Sequence, residues 1–285
     1  MKKALYIFVI LTFSKAFSQD PIHTQFFMVP ETLSSSFTGA KQSTRAGIIH
    51  RTQWPGLNFS INTQFAFVDN WFEEINSGVG ISVLNHKETT TRYNFTQLNL
   101  NYAYQFPMSE EWNVRPSISV GYGAKDFGFQ NLVLEDQINI FSGIINVNSI
   151  DPINLNETIR FLDFSASVLF NSDNSWVGFT LKHFNQPNIS MEMEGQDNLE
   201  MFMSMHGSFY IPFGDYRSDN KLFVLANGMM QGAYNRFDLG AKYEMDRFAF
   251  GSVFIGFVAA KSPNAKRSDS IWGLNTKWIV LHLDF

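Results

Sequence analysis

Residues 269–285 alternate apolar and polar side chains up to the end of the sequence. One face carries Ile279, Leu281, Leu283 and Phe285, and the other carries His282 and Asp284. A period of two predicts a β-strand with one apolar face. A long strand of this kind that ends on an aromatic residue is typical of the closing strand of a bacterial outer-membrane barrel, which has to pair with the first strand and leave no open edge in lipid. The alternative is an edge strand of a soluble β-sandwich.

The same alternation recurs in five earlier segments, 58–68, 93–106, 113–124, 159–170 and 234–245. Their apolar faces, which we expect to meet lipid, include Phe65, Phe67, Leu98, Leu100, Ile118, Leu162 and Phe237. Their polar faces, which we expect to line a lumen, include Gln64, Gln97, Arg115, Ser117, Asp163, Ser167 and Asp238. This division between lipid and lumen is the pattern of a transmembrane barrel.

Further candidate strands are 44–52, 76–86, 174–184, 200–211, 220–231, 248–259 and 268–285. Each is about as long as a tilted strand needs to cross a membrane, about 9–11 residues. Segment 129–150 has room for one more hairpin. The sequence therefore predicts an all-β fold, a transmembrane antiparallel β-barrel of about 12–14 strands in the bacterial outer membrane.

The start of the chain predicts export. Lys2 and Lys3 form a basic head, residues 4–13 are an apolar run, and a small-x-small site precedes Gln19. This is the pattern of a secretory signal peptide with cleavage after Ser18. We therefore expect three regions: a signal peptide at 1–18, an irregular N-terminal segment at 19–42, and the barrel at 43–285. The irregular segment is expected on the periplasmic side or inside the barrel.

Composition narrows the class of protein. The sequence has no cysteine, so it predicts neither a disulfide framework nor a lipid-anchored N-terminal cysteine. It contains 30 Phe, 9 Tyr and 6 Trp, which suits aromatic girdles at two membrane interfaces. A net charge of −5 without basic runs gives no support for nucleic-acid binding.

The connections between the predicted strands form two sets. With the C-terminus in the periplasm, the periplasmic turns are 69–75, 107–112, 171–173, 212–219 and 246–247, and the outer loops include 125–158, 185–199 and 260–267. Long connections on the outer side are usual for these barrels. Loop 125–158 is too long to be structureless, so we expect it to be a functional elaboration.

Several motifs resemble one family. They are Gln19-Asp20-Pro21, Gln25-Phe26, Phe37-Thr38-Gly39, Arg51-Thr52-Gln53-Trp54-Pro55, Gly78-Val79-Gly80 and Gly178-Phe179-Thr180-Leu181-Lys182-His183. Together they resemble the PorP/SprF family of the type IX secretion system. The chain departs from the family at Ser35-Ser36, where members usually have Asn-Pro.

The resemblance implies a non-enzymatic outer-membrane component of type IX secretion. Family members are thought to support the export or surface attachment of a client protein such as a gliding adhesin. The implied partners are the C-terminal domain of a secreted client, other type IX or periplasmic envelope components, and outer-membrane lipid.

Candidate partner-binding residues fall in two places. Arg51, Gln53 and Trp54 are read either as an anchor for the N-terminal segment or a partner, or as a girdle Trp beside a rim Arg. In the outer loops, loop position suggests polar and apolar contacts. These are Asp126, Phe127, Phe129, Glu135, Asp136, Phe141, Glu192 and Glu194.

Catalytic and metal-binding patterns are not found in the sequence. The six histidines lack metal-ligand spacing. Glu192, Glu194, Asp197 and Glu200 form either a solvated acidic loop or a calcium site, although their spacing fits no calcium-loop pattern. There is no Gly-x-Ser-x-Gly and no His-Glu-x-x-His. We therefore predict no catalytic residue and no cofactor. The alternatives are a diffusion channel or solute transporter and, less well supported, an outer-membrane lipase.

Overall fold

The structure is a computed structural model of the chain. It describes residues 20, 21, 23, 26, 28–55, 60–90, 92–127, 137–139, 144–146, 158–191, 195–211, 221–245, 248–260 and 269–273. The predicted signal peptide at 1–18 and the end of the predicted closing strand, 274–285, lie outside the described residues.

Antiparallel strands dominate the structure. They are β1 Arg45–Gln53, β2 Ile61–Phe72, β3 Ser77–Glu88, β4 Asn94–Tyr104, β5 Phe106–Pro107, β6 Asn113–Asp126, β7 Ile138–Asn139, β8 Ile144–Ile145, β9 Thr158–Asn171, β10 Trp176–Lys182, β11 Phe202–Ile211, β12 Lys221–Gln231, β13 Tyr234–Met245, β14 Phe248–Ala260 and β15 Asp269–Gly273. Short 3₁₀ turns occupy Pro30–Thr32, Ser35–Phe37 and Glu73–Ile75. Among the described residues, no helix is long and apolar enough to cross a membrane.

The main sheet follows the order of the chain. Its path is β1-β2-β3-β4-β6-β9-β10-β11-β12-β13-β14-β15, with β5 paired beside β6. These twelve strands correspond to the twelve that the sequence predicted. The extra hairpin expected within 129–150 is also present as β7 and β8, but it forms a two-stranded sheet of its own. Any pairing of 274–285 with β1 lies outside the described residues.

Because consecutive strands are antiparallel, the connections alternate between two ends of the sheet. The short-turn end carries 73–76, 105–112, 172–175, 212–220 and 246–247. The long-loop end carries 54–60, 89–93, 127–157, 183–201, 232–233 and 261–268. The two sets match the predicted periplasmic turns and outer loops.

Most predicted faces are confirmed. Leu100 is 56 % exposed and Ile118 57 %, whereas Arg115 and Asp238 are 0 % exposed. Outward aromatic residues lie towards the short-turn end on β4 and β5, where an aromatic girdle is expected: Tyr102, Tyr104 and Phe106.

The predicted faces of 58–68 are wrong. Phe65 is buried on the inner face with Thr63 and Asp69, and Gln64 is exposed on the outer face. The inner face accepts aromatic rings because the N-terminal segment brings a ring partner to it and the neighbouring strand β1 brings a cationic one. The ring of His23 lies 6.2 Å from that of Phe65, and the Arg45 guanidinium lies 5.5 Å from the centre of Phe67.

The N-terminal segment is packed against the inner face of the sheet. We call residues 20, 21, 23, 26 and 28–40 of this segment the plug. Phe26 and Leu33 form a buried cluster with Leu225 of β12, against which Trp176 of β10 packs. The second 3₁₀ turn contacts β4, β6 and β9. The strands therefore curl around the plug, which agrees with the second of the two positions expected for this segment.

Candidate functional site: the plug in the lumen

The first described residue of the plug is bound by a buried histidine. His183, directly after β10, is 1 % exposed and lies between two carboxylates. Its Nε2 is 2.9 Å from Oδ2 of Asp20, and its Nδ1 is 2.8 Å from Oδ1 of Asp163. Asp163 also accepts a 2.8 Å hydrogen bond from Gln97. Both ring nitrogens are engaged, so the geometry suits holding the chain in place.

Electrostatics favour the charged forms of this network. Burial acts to lower the pKa of His183, but the charges of Asp20 and Asp163 and their hydrogen bonds overcome it and raise this pKa to about 9. Burial acts to raise the pKa of Asp20, but His183, Lys182 and Gln231 overcome it and lower this pKa below its ordinary value. A buried ion pair is favourable only when its hydrogen bonds are satisfied, as they are here.

Two further side chains hold this end of the plug. Gln231 of β12 accepts a 2.8 Å hydrogen bond from the Asp20 backbone N–H and donates to Asp20 Oδ1 at 3.3 Å and to the Glu200 carbonyl at 3.2 Å. Lys182 donates to the Thr32 carbonyl at 3.2 Å. The plug is thereby joined to both β10 and β12.

Serine hydroxyls hold the middle of the plug. Ser34 donates to Ser167 of β9 at 2.9 Å, and Ser36 lies 2.8 Å from Ser117 of β6. Ser117 and Ser167 are themselves 2.6 Å apart. The Ser35-Ser36 pair, the position where the sequence departs from its family pattern, is thus part of the contact between the plug and the wall.

Arg115 holds the far end of the plug. It donates to the carbonyls of Ser36 at 3.1 Å and Thr38 at 2.6 Å, and also to Gln105. Its guanidinium lies 5.1 Å from the centre of the Trp71 ring. The cation is therefore satisfied by plug carbonyls and an aromatic face.

Two glycines allow the plug to cross β3. Gly39 has φ +69°, which favours glycine, and a Cβ on it would lie 2.7 Å from Gly78 Cα. A Cβ on Gly78 would lie inside the contact distance of the Thr38 carbonyl oxygen. Both glycines belong to motifs noted in the sequence, and in the structure both allow the two backbones to approach closely.

The predicted partner-binding residues that the structure describes do not form one cluster. Arg51 and Gln53 lie on the same inner face of β1 as Arg45. Trp54 follows directly after the strand and is 51 % exposed. Asp126 ends β6 and lies 3.4 Å from Asn94, and the Phe127 ring lies 6.0 Å from that of Tyr93. The residues at the end of β1 and those at the end of β6 both lie at the long-loop end, but β2, β3 and β4 separate them in the sheet. The remaining candidates lie outside the described residues: Phe129, Glu135, Asp136, Phe141, Glu192 and Glu194.

The contacts that hold the plug were not predicted from the sequence. The Gln19-Asp20-Pro21 start and the strand ending at His183 are separate motifs in the sequence, and the structure joins them through Asp20 and His183. A usable signal was the presence of charged residues, Arg115 and Asp163, on predicted lumen faces, because buried charges need partners. Among the described residues, no group of three or more His, Asp or Glu is placed to hold a metal ion.

Comparison with known families decides the identity. Residues 15–278 match the family model of the type IX secretion system membrane protein PorP/SprF. The chain belongs to the PorP/SprF family. It is thus an outer-membrane β-barrel component of type IX secretion. No curated protein matches the chain.

Proposed function

We propose that this barrel supports the export or surface attachment of a secreted client protein, such as a gliding adhesin. Its outer loops bind the C-terminal domain of the client, and its periplasmic turns contact other type IX or envelope components. Residues 1–18 act as the signal peptide that directs the chain to the envelope. The observation that carries the proposal is the plug, because a filled lumen leaves the loops as the surface that the barrel offers.

The outer loop between β6 and β9 supports a role in recognition. Its hairpin displays Ile138, 47 % exposed, directly across from Ile145, 57 % exposed. Exposed apolar side chains on a rigid scaffold are common in partner-binding surfaces. In the same proposal, Asp126, Glu135, Asp136, Glu192 and Glu194 supply polar contacts and Phe127, Phe129 and Phe141 supply apolar anchors, while Arg51, Gln53 and Trp54 form a second contact region.

Shortening residues 129–150 to a Gly-Ser turn tests the proposal. The barrel should still insert, because the hairpin is separate from the main sheet. One surface protein should then disappear from the cell exterior while other type IX cargo stays, as measured by surface proteomics. A heat-modifiable band serves as the insertion control. Normal insertion with an unchanged surface proteome would contradict recognition by this loop.

The alternative of a diffusion channel makes a different prediction. A polar cavity beside the plug, lined by Ser82, Asn101 and Ser119 among others, has a volume of about 70 Å³. This cavity has room for a few water molecules, and we propose that the docked plug blocks the passage of sugars. Liposomes that contain the purified protein should therefore swell no faster in sugar solutions than empty liposomes. Rapid swelling would favour the channel.

A further inference from the structure

A pocket of about 210 Å³ lies at the long-loop end of the barrel, directly above the start of the plug. Drug-sized ligands generally occupy pockets of about 300–1,000 Å³. A smaller pocket suits a single side chain. Aromatic side chains buried in such pockets are frequent anchors of protein interfaces.

One wall of the pocket is apolar and preformed. Phe95 stacks on Phe161 with ring centres 6.1 Å apart, and Ile189 and Leu199 are 3 % and 4 % exposed in the same cluster. Backbone hydrogen bonds fix the segment that carries them: Ile189 N–H donates to the Asp197 carbonyl at 2.8 Å, and Leu199 N–H donates to the Pro187 carbonyl at 2.9 Å. The wall therefore needs little ordering when a ligand binds.

The other lining residues are polar or cationic, and Lys125 is the cross-strand partner of Phe95. The ring of His86 is oriented by a 2.8 Å hydrogen bond to Thr63 and lies edge-on to Tyr93, 6.2 Å away. Lys125 places its ammonium 3.4 Å from the Ile189 carbonyl, and nearby Asp197 offsets part of its charge. These residues thus add a cation beside aromatic and apolar surface.

The floor of the pocket is made by the plug. Asp20 and Pro21 line it, and the Asp20 carboxylate is already bound by His183 and Gln231. The charge that the pocket offers to a ligand therefore comes from Lys125. The floor exists only while the plug is docked, so the pocket depends on the contacts of Asp20.

We propose that this pocket binds an aromatic side chain next to a carboxylate, presented by a polypeptide outside the cell. The inference rests on the proposed function, since the client is the polypeptide that docks at this end. The aromatic ring packs against Phe95 and Leu199, and the carboxylate pairs with Lys125. None of these three residues is among the contact residues that the sequence suggested.

Binding is measured on the full-length protein in detergent by fluorine NMR. The probes are N-acetyl-4-fluorophenylalanine, its uncharged amide, and N-acetyl-alanine, the last as a competitor of the fluorinated acid. The fluorinated acid should bind with a dissociation constant of roughly 1 mM, and N-acetyl-alanine should not displace it. Absence of saturable binding of the fluorinated acid would overturn the proposal.

Two variants and one control identify the pocket. Leu199→Asp should weaken binding at least about tenfold, since it puts a charge in the apolar wall. Lys125→Gln should leave the ring bound but remove the preference for the acid over the amide. Met108→Asp, at an exposed residue of the short-turn end, should change neither the binding of the fluorinated acid nor the preference for the acid over the amide. Because Leu199→Asp risks misfolding, Lys125→Gln gives the decisive result: an unchanged preference would overturn the assignment.

Surface display of the client in cells that carry each barrel variant distinguishes this inference from the proposed function. If Lys125→Gln and the loop-shortened barrel both lose the client from the surface, both proposals are supported. If only the loop-shortened barrel loses the client, the pocket proposal fails and the proposed function stands. If neither loses it, both fail as statements about client binding.

Discussion

Replacing Asp20 by asparagine should loosen the plug while keeping its shape. The difference between the ordinary pKa of His183, 6.5, and its raised value of about 9 corresponds to about 3 kcal/mol. Both Asp20 and Asp163 stabilise the charged form of His183. Asp20→Asn removes the charge from one of these hydrogen bonds, and a hydrogen bond to a charged group contributes about 2 kcal/mol. The undocked fraction of the plug should rise about 10–30-fold.

Cysteine labelling measures that fraction, because the chain has no cysteine of its own. Ser34→Cys places a thiol at a plug position that is 1 % exposed. Its own effect cancels, since it is present in both proteins compared. When opening is fast relative to labelling, the labelling rate follows the open population. Asp20→Asn should therefore accelerate maleimide labelling about 10–30-fold.

The docking of the plug should depend on pH in a defined direction. The contribution of His183 is complete below pH 6.5 and is lost as pH rises through about 9, because its folded pKa is raised. The contribution of Asp20 is complete above pH 3.8 and is lost only as pH falls through its lowered pKa. The labelling rate of Ser34→Cys, divided by the rate of an exposed Glu110→Cys thiol, should stay constant from pH 5 to 6.5 and rise towards pH 9.

A matched control is Asp173→Asn, at an exposed residue of the turn after β9. It should leave labelling unchanged. Equal acceleration by both substitutions, or none by Asp20→Asn, would refute the assignment of the plug contact to the Asp20 carboxylate.

Two further substitutions test the wall of the barrel. Gly78→Ala should displace the far end of the plug at a cost of about 1–3 kcal/mol and increase liposome swelling. Gly228→Ala should not increase swelling, because its Cβ would meet its nearest atom only at 3.9 Å. Swelling equal to that of the wild type in both variants would contradict the close crossing of the plug over β3. Leu281→Arg should reduce membrane assembly much more than His282→Arg, because a charge facing lipid near the midplane costs about 2–4 kcal/mol. Similar heat-modifiable fractions would mean that the register of the closing strand differs by one residue.

The strands could be predicted because their signal is local. A period of two is visible within each segment, and predicted 113–124 became Asn113–Asp126. The faces of β2 were predicted wrongly because polarity alone assigned them. Phe65 points inward to meet His23, a residue 42 positions away in the chain that periodicity does not reveal.

The site was less predictable than the fold. Asp20 and His183 are 163 residues apart in sequence, and nothing in either motif indicates the other. Arg115 was assigned correctly to the lumen, but its partners are backbone carbonyls of the plug, which leave no mark in the sequence. The loop candidates Phe129, Glu135, Asp136, Phe141, Glu192 and Glu194 remain predictions, as does the signal peptide.

The contacts of the plug also constrain the order of assembly. Asp20 is bound by Gln231, 211 residues later in the chain, and the other contacts reach β3, β6, β9 and β10. Contacts of such long sequence separation form late, since the chain between them has to be ordered first. The plug can therefore complete its docking only after β12 is in place. A barrel arrested before that strand would hold an incompletely bound plug, without its contacts to Gln231 and Leu225.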